Sequence, residues 1–183
     1  MGKEETTINS YSVNLDPKAI EKIRQKGLKA IHCRAEDVHK VENGFEPDIF
    51  MSYQMVEHLI NPIGFLHSMA TQSKCQYFVI TVPYVTQSRM GLTHVRSNSF
   101  EKGDCAENTH IFELSPEDWN LIYQFSGWEI VYSDKYKQYP KSFPLALTKH
   151  IWRKFDFDGF YGVILKQNLK FANHYKDWGT DLE

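Results

Sequence analysis

The run Asp48-Ile-Phe-Met-Ser-Tyr-Gln-Met-Val-Glu-His-Leu-Ile-Asn-Pro62 decides how this chain is read. An acidic residue opens a short apolar strand that ends at Ser52, and the chain then breaks into a polar segment. Helical spacing there would set Gln54, Glu57 and His58 on one face, at i, i+3 and i+4. In open parallel α/β sheets the strand carboxyl ends line a crevice outside the sheet. A strand that runs directly into a polar face therefore marks a ligand edge.

The flanking sequence repeats that arrangement. Tyr11-Ser-Val-Asn-Leu15 alternates like a strand and meets Asp16-Pro17, where Asp16 suits a helix N-cap and Pro17 the first helical position. Ala19, Ile20 and Ile23 give one apolar face to a helix that Gly27 stops. Lys29-Ala-Ile-His-Cys33 predicts a second strand, Asp48 to Ser52 a third, and residues 54 to 72 a helix interrupted at Asn61-Pro62. Gln76 to Val82 is a continuous β-rich apolar run, the pattern of a strand buried on both faces. Strand, helix, strand with short links predicts a mostly parallel sheet with helical crossovers. Residues 84 to 110 form a polar loop region of a length that usually accompanies function. Ser115-Pro-Glu-Asp118 reads as a helix start, with Trp119, Leu121, Ile122 and Phe125 as the buried face and Gly127 as the stop. Trp128 to Tyr132 and Gly159 to Leu165 predict two more strands, separated by an aromatic insertion over 134 to 158. The domain is expected over 11 to 167, between a polar arm (1 to 10) and a tail (168 to 183).

At 183 residues the chain can bury roughly 70% of its unfolded surface as one domain. Its 42% hydrophobic and 24% charged residues are those of a globular protein. A formal charge of −2 gives no broad basic footprint for nucleic acid or an anionic membrane, so neither partner is expected. No apolar run approaches the roughly 18 residues of a membrane span, and the first residues lack a signal peptide's apolar core. Cys33, Cys75 and Cys105 are odd in number and have no CxxC spacing. That suggests neither a disulfide framework nor a thiolate metal site, and a reducing, cytoplasmic compartment is expected.

Several blocks, taken in order, resemble the class I S-adenosylmethionine (SAM)-dependent methyltransferases. Asp48 to Pro62 is similar to the family's fourth-strand segment with its Glu-His pair. Val13-Asn-Leu-Asp16-Pro17 resembles the second-strand end, whose acid accepts hydrogen bonds from the cofactor ribose. Cys33-Arg-Ala-Glu-Asp-Val38 resembles the third-strand end, where an acidic or amide side chain and a backbone N–H meet adenine. Val82-Pro83-Tyr84, His110 to Trp119 and Gly127-Trp128 resemble the fifth-strand end and the stretch before the antiparallel strands. The resemblance implies an α/β Rossmann-like three-layer αβα sandwich, mostly parallel with antiparallel C-terminal strands. It implies a SAM site built from Asp16, Ala35, Glu36, Asp37 and Gln54, and methyl transfer to a small-molecule acceptor lying under the 84 to 110 loop. His110 and Tyr84, with His94, are the polar groups that would face the acceptor.

Two departures bear on this. Arg34 stands where the family often has the adenine-proximal acid, so recognition there would fall to Ala35 or Glu36. The family's first strand and its G-x-G-x-G turn should precede Asp16 by about 20 residues. Only 15 residues come before Asp16, with Gly2 their sole glycine. The fold is therefore expected to be truncated at its N-terminus, beginning at the family's second strand. Glycine is required in that turn because a Cβ would block the methionine end of the cofactor. The missing strand is central in the family's sheet, and its loss would strand backbone donors and acceptors in the interior. Direct pairing of its two neighbours is the favoured repair. A strand supplied by another chain, as in a homodimer, comes second, and the arm Thr6-Thr-Ile-Asn9 is too polar for the place.

Glu57 and His58, helped by Gln54 and His110, are the residues that would hold a metal. Gln54 in place of an acid removes charge that a hard cation needs, so no metal is expected. Asp16 also reads simply as a helix cap, and Glu36 and Asp37 as solvated carboxylates. The rival function is a non-catalytic methyltransferase-fold scaffold that uses its aromatic surface, Tyr132 to Phe160, for self-association or a partner.

Overall fold

The computed structural model describes residues 8–41, 46–91, 109–136 and 158–173. His94, Cys105, most of the 84 to 110 loop, most of the aromatic insertion and most of the two termini lie outside them. The chain forms two compact units, Met1–Phe45 and Glu46–Glu183.

In the first unit, strand β1 (Tyr11–Asn14), helix α1 (Pro17–Gln25) and strand β2 (Lys29–His32) make one β-α-β turn. The strands are parallel, with Tyr11 opposite Lys29 and Asn14 opposite His32. Local chemistry sets both ends of α1. Pro17 occupies its first turn and the Asp16 carboxylate accepts the Lys18 N–H at 2.9 Å, a cap worth about 1 kcal/mol. Gly27, with φ +76°, turns the chain out of the helix in a conformation that penalises any Cβ. A 3-10 turn, Ala35–Lys40, follows β2 and buries Val38.

In the second unit, β3 (Ile49–Tyr53) leads through a 3-10 turn, Val56–His58, into helix α2 (Pro62–Gln72) and then β4 (Tyr77–Tyr84). A short ribbon pairs β5 (Arg89–Met90) with β6 (Phe112–Glu113). Helix α3 (Pro116–Phe125), β7 (Trp128–Tyr136), β8 (Gly159–Gln167) and a last turn α4 (Leu169–Ala172) complete it. The sheet order is β3-β4-β8-β7, parallel between β3 and β4 and antiparallel elsewhere. Register places Phe50, Phe78 and Leu165 in one row and Ser52, Ile80 and Val163 in the next, all on one face. Helices α2 and α3 pack there. Phe65 meets Phe78 at 5.9 Å between centroids, and Trp128 meets it edge-on at 5.6 Å. The Trp128 Nε1–H donates to the Leu66 carbonyl at 2.9 Å, and the Tyr161 hydroxyl donates to Asn120 at 2.7 Å.

Four expectations change. The helix expected over 54 to 72 is a 3-10 turn followed by α2, because Asn61 accepts the Gly64 N–H as an N-cap and Pro62 starts a new helix. Gln54, at φ +53°, is not helical and shares no face with Glu57 and His58. β4 alternates between buried and partly exposed positions, so helices cover one face of it and its apolar run is not buried twice over. On α3 the buried positions are Pro116, Trp119 and Tyr123, while Leu121 and Phe125 are exposed. The i, i+4 aromatic pair stacks at 5.9 Å and sets the rotation of the helix.

Among the described residues β1 pairs only with β2, and β3 only with β4. β3 is an end strand of its sheet, and its Ile49, Met51 and Tyr53 side chains are exposed. β7 at the opposite edge carries Glu129, Asp134 and Lys135, charges of the kind that discourage further pairing. No helix among the described residues is long and apolar enough to cross a membrane.

Candidate functional site

Within each unit the cofactor candidates fall at the carboxyl ends of strands in a parallel pair. Asp16 follows β1, and its carboxylate caps α1 while the Asp16 N–H donates to Asn14 at 2.8 Å. Ala35, Glu36 and Asp37 open the turn after β2. Glu36 lies 3.5 Å from Arg34, and Asp37 pairs with Lys40 at 2.8 Å. The Lys40 ammonium holds the Asp37 carboxyl below the usual carboxylate range. Both pairs are local and solvent-facing, and such pairs contribute little to stability.

Gln54 sits one residue beyond β3 in the left-handed region. Its N–H donates to the Thr81 carbonyl at 2.9 Å and its amide donates to the Thr81 hydroxyl at 3.2 Å. β3 and β4 are thereby clipped together just where the crevice of such a sheet would lie. Tyr84 ends β4, with its carbonyl accepting the Asp158 N–H at 2.8 Å and its ring 5.9 Å from the Lys135 ammonium.

Beyond Gln54 the structure brings His110 to the adjacent pair Glu57 and His58, as the metal candidates were grouped. Glu57 is fully buried, and neither carboxylate oxygen has a hydrogen-bond partner in any other residue. Burial pushes its carboxyl up to about 7, with its own backbone N–H and His110 acting against the shift. The His58 Nε2 lies 3.9 Å from Glu57 Oε1, too far for a hydrogen bond. The buried His110 ring meets the His58 ring edge-on at 4.9 Å. A backbone bond from Ile111 N–H to the Glu57 carbonyl, 2.9 Å, ties the two segments together.

Sequence reasoning missed the groups behind this cluster. The His58 Nδ1 lies 3.2 Å from the Thr109 carbonyl, and the His110 Nδ1 lies 3.5 Å from Glu113 Oε1. Glu113 also pairs with Arg89 across the β5–β6 ribbon. His110, then Arg89, hold the Glu113 carboxyl below the usual range despite its burial. The i, i+3 spacing of His110 and Glu113 was visible; the approach of Arg89 was not, because it depends on a two-residue ribbon.

Asp16 and the Ala35–Asp37 turn follow the two strands of the first unit, and Gln54 follows β3 in the second. The backbone cradle for the methionine end does not fit: no G-x-G-x-G occurs anywhere in the 183 residues.

No protein-family model and no curated protein matches the chain. Solved structures do. A SAM-dependent methyltransferase from Archaeoglobus fulgidus is 18% identical with a TM-score of 0.57, over 86% of this chain and 75% of that one. The 4+2 cyclase SpnF is 11% identical with a TM-score of 0.57, over 90% of this chain and 68% of that one. The Burkholderia thailandensis 1,6-didemethyltoxoflavin-N1-methyltransferase, solved with S-adenosylhomocysteine, is 11% identical with a TM-score of 0.56. That match covers 87% of this chain but 61% of the enzyme, less than two thirds of its length. Strand directions and these likenesses agree: the chain has a class I methyltransferase-like fold.

Proposed function

We propose that the chain binds SAM and serves methyl transfer to a small-molecule acceptor. One positional observation carries this reading. Asp16, the Ala35–Asp37 turn, Gln54 and Tyr84 each stand at the carboxyl end of a strand in a parallel pair. The Asp16 carboxylate would take the ribose hydroxyls, the Ala35–Asp37 turn the adenine, and Gln54 the methionine end. The cofactor's sulfonium supplies an already activated methyl group, so the protein's task is to orient the acceptor. Tyr84 and His110 are the residues proposed to face it. The expected compartment is the cytoplasm.

Calorimetric titration with SAM and S-adenosylhomocysteine tests this. A one-to-one isotherm is expected, weakened at least tenfold in Asp16→Asn. Asparagine caps helices as well as aspartate does, so this variant removes the charge without removing the helix start. No heat up to millimolar ligand would reject the reading.

A second reading is supported by the apolar end strand β3 with its exposed Ile49, Met51 and Tyr53. In it the chain is a non-catalytic scaffold that self-associates, as a homodimer for instance. Light scattering would then show an oligomer that Met51→Lys dissociates; a monomer at all concentrations would exclude it.

A further inference from the structure

We propose that Glu57, His58 and His110 form a site for one divalent transition-metal ion, tested here with Zn²⁺. Their candidate ligand atoms, one from each residue, all lie within 4.8 Å of one another. The argument begins with Glu57. A carboxylate at 0% exposure whose oxygens take no hydrogen bond from any other residue is an anomaly that a folded interior does not leave unexplained. A bound cation answers it directly.

The imidazoles are arranged as metal-binding imidazoles are. A ligating histidine presents one nitrogen to the ion while the other is oriented by a carbonyl or a carboxylate. Here the Thr109 carbonyl stands by His58 Nδ1, and the Glu113 carboxylate stands by His110 Nδ1. That assigns Nε2 of each ring to the ion, and the His58 Nε2 already faces Glu57 at 3.9 Å. The pairing of Glu113 with Arg89 anchors the outer layer. Gly91 lets the His110 backbone sit where it does, since a Cβ at that position would overlap the His110 carbonyl oxygen.

Two imidazoles and one carboxylate favour a borderline transition ion over Mg²⁺ or Ca²⁺, which take mainly oxygen ligands. Zinc bonds of about 2.0–2.2 Å put tetrahedral ligands roughly 3.3 Å apart. The widest separation must therefore close by about 1.5 Å on binding, and the half-buried His58 ring is the part able to turn. Three protein ligands leave a coordination position for water or a substrate oxygen. Sequence spacing pointed away from a metal because it counted Gln54 among the ligands. Gln54 is engaged with Thr81, and His110 supplies the third ligand.

The proposal does not rest on SAM binding, and its test does not use SAM. The full chain, freed of metal with a chelator, is titrated with Zn²⁺ against a chromophoric competitor. One equivalent is expected to bind, with affinity falling at least a hundredfold in His58→Ala, His110→Ala and Glu57→Gln, and unchanged in the control His67→Ala. Cobalt(II) should give the visible bands of a four-coordinate site. If a variant fails to fold by circular dichroism, X-ray absorption of the zinc-loaded wild type decides, two imidazoles and otherwise oxygen being expected. Absence of stoichiometric binding, binding that survives the folded variants, or a coordination shell without imidazole would overturn the proposal.

Discussion

Replacing Gln54 separates what the backbone demands from what the side chain does. Gln54 holds φ +53°, a conformation that costs a residue with a Cβ about 1–2 kcal/mol. Its amide returns part of that through the 3.2 Å bond to the Thr81 hydroxyl, a contact worth about 0.5–1.5 kcal/mol. Gln54→Gly relieves the strain but loses the bond, and it adds roughly 0.4–1 kcal/mol of unfolded-state freedom. The three terms nearly cancel, so stability should change by less than about 1 kcal/mol. Gln54→Ala keeps the strain and loses the bond, and should lose about 1 kcal/mol. The glycine variant is therefore expected to exceed the alanine variant by about 0.5–1 kcal/mol. Urea unfolding followed by tryptophan emission, with equal m-values across the set, measures the difference. An alanine variant more stable than the glycine variant by about 0.4–1 kcal/mol would refute the argument, since only the unfolded-state term would then remain and no left-handed strain would exist there. If the amide also meets the cofactor, both variants should bind S-adenosylhomocysteine more weakly whatever their stability.

Other perturbations follow from single contacts. Trp128→Phe should cost about 2 kcal/mol in urea unfolding, from the lost bond to the Leu66 carbonyl and an unfilled core; a loss below the error of the fit would show the indole is not anchored. Gly91→Ala should lower stability by about 1–3 kcal/mol. The group it displaces is the His110 carbonyl, so zinc affinity should fall in the same variant, and loss of stability with intact zinc binding would uncouple the two. Burial pushes the Cys75 thiol up to about 11, so Cys75 should resist a thiol reagent at pH 8 and react only on unfolding; labelling mapped by mass spectrometry would show the contrary if it is modified in the native chain.

Much of the fold was legible because its signals are local. Asp16-Pro17 and Ser115-Pro116 each start a helix as read, while Asn61-Pro62, read as an interruption, starts α2 with its own cap. Strand existence followed from apolar runs, and β4 runs only two residues beyond its expected end at Val82. What failed was rotation and pairing, which neighbours decide. Tyr123, not Leu121 or Phe125, is buried on α3 because the phase is set by stacking with Trp119. The burial of β4 depends on how many faces are covered, and nothing in Tyr77 to Tyr84 encodes that number. At the site, Asp16, Gln54 and Tyr84 were locatable because a strand end can be read from sequence. His110 was grouped with Glu57 and His58 through the resemblance, while the Arg89–Glu113 pair behind it depends on a two-residue ribbon that no local signal encodes.

The fold limits the chemistry less than the site does. The 4+2 cyclase SpnF and the Archaeoglobus fulgidus methyltransferase match this chain with the same TM-score, so the fold alone leaves the reaction to the residues of the site. Those residues have a physical mark in this chain. β3 and α2 on either side obey ordinary strand and helix chemistry, but the four residues from Gln54 to Glu57 break it twice. Gln54 takes a left-handed conformation without being glycine, and Glu57 buries a carboxylate without a hydrogen bond from any other residue. Neither stabilises the fold, and each could be relieved by one substitution. Departures from local rules that gain nothing in stability gather where a ligand acts. On that ground the segment after β3 is the first place to test the proposed cofactor and metal sites, with Gln54 bound to Thr81 and Glu57 beside His58 and His110.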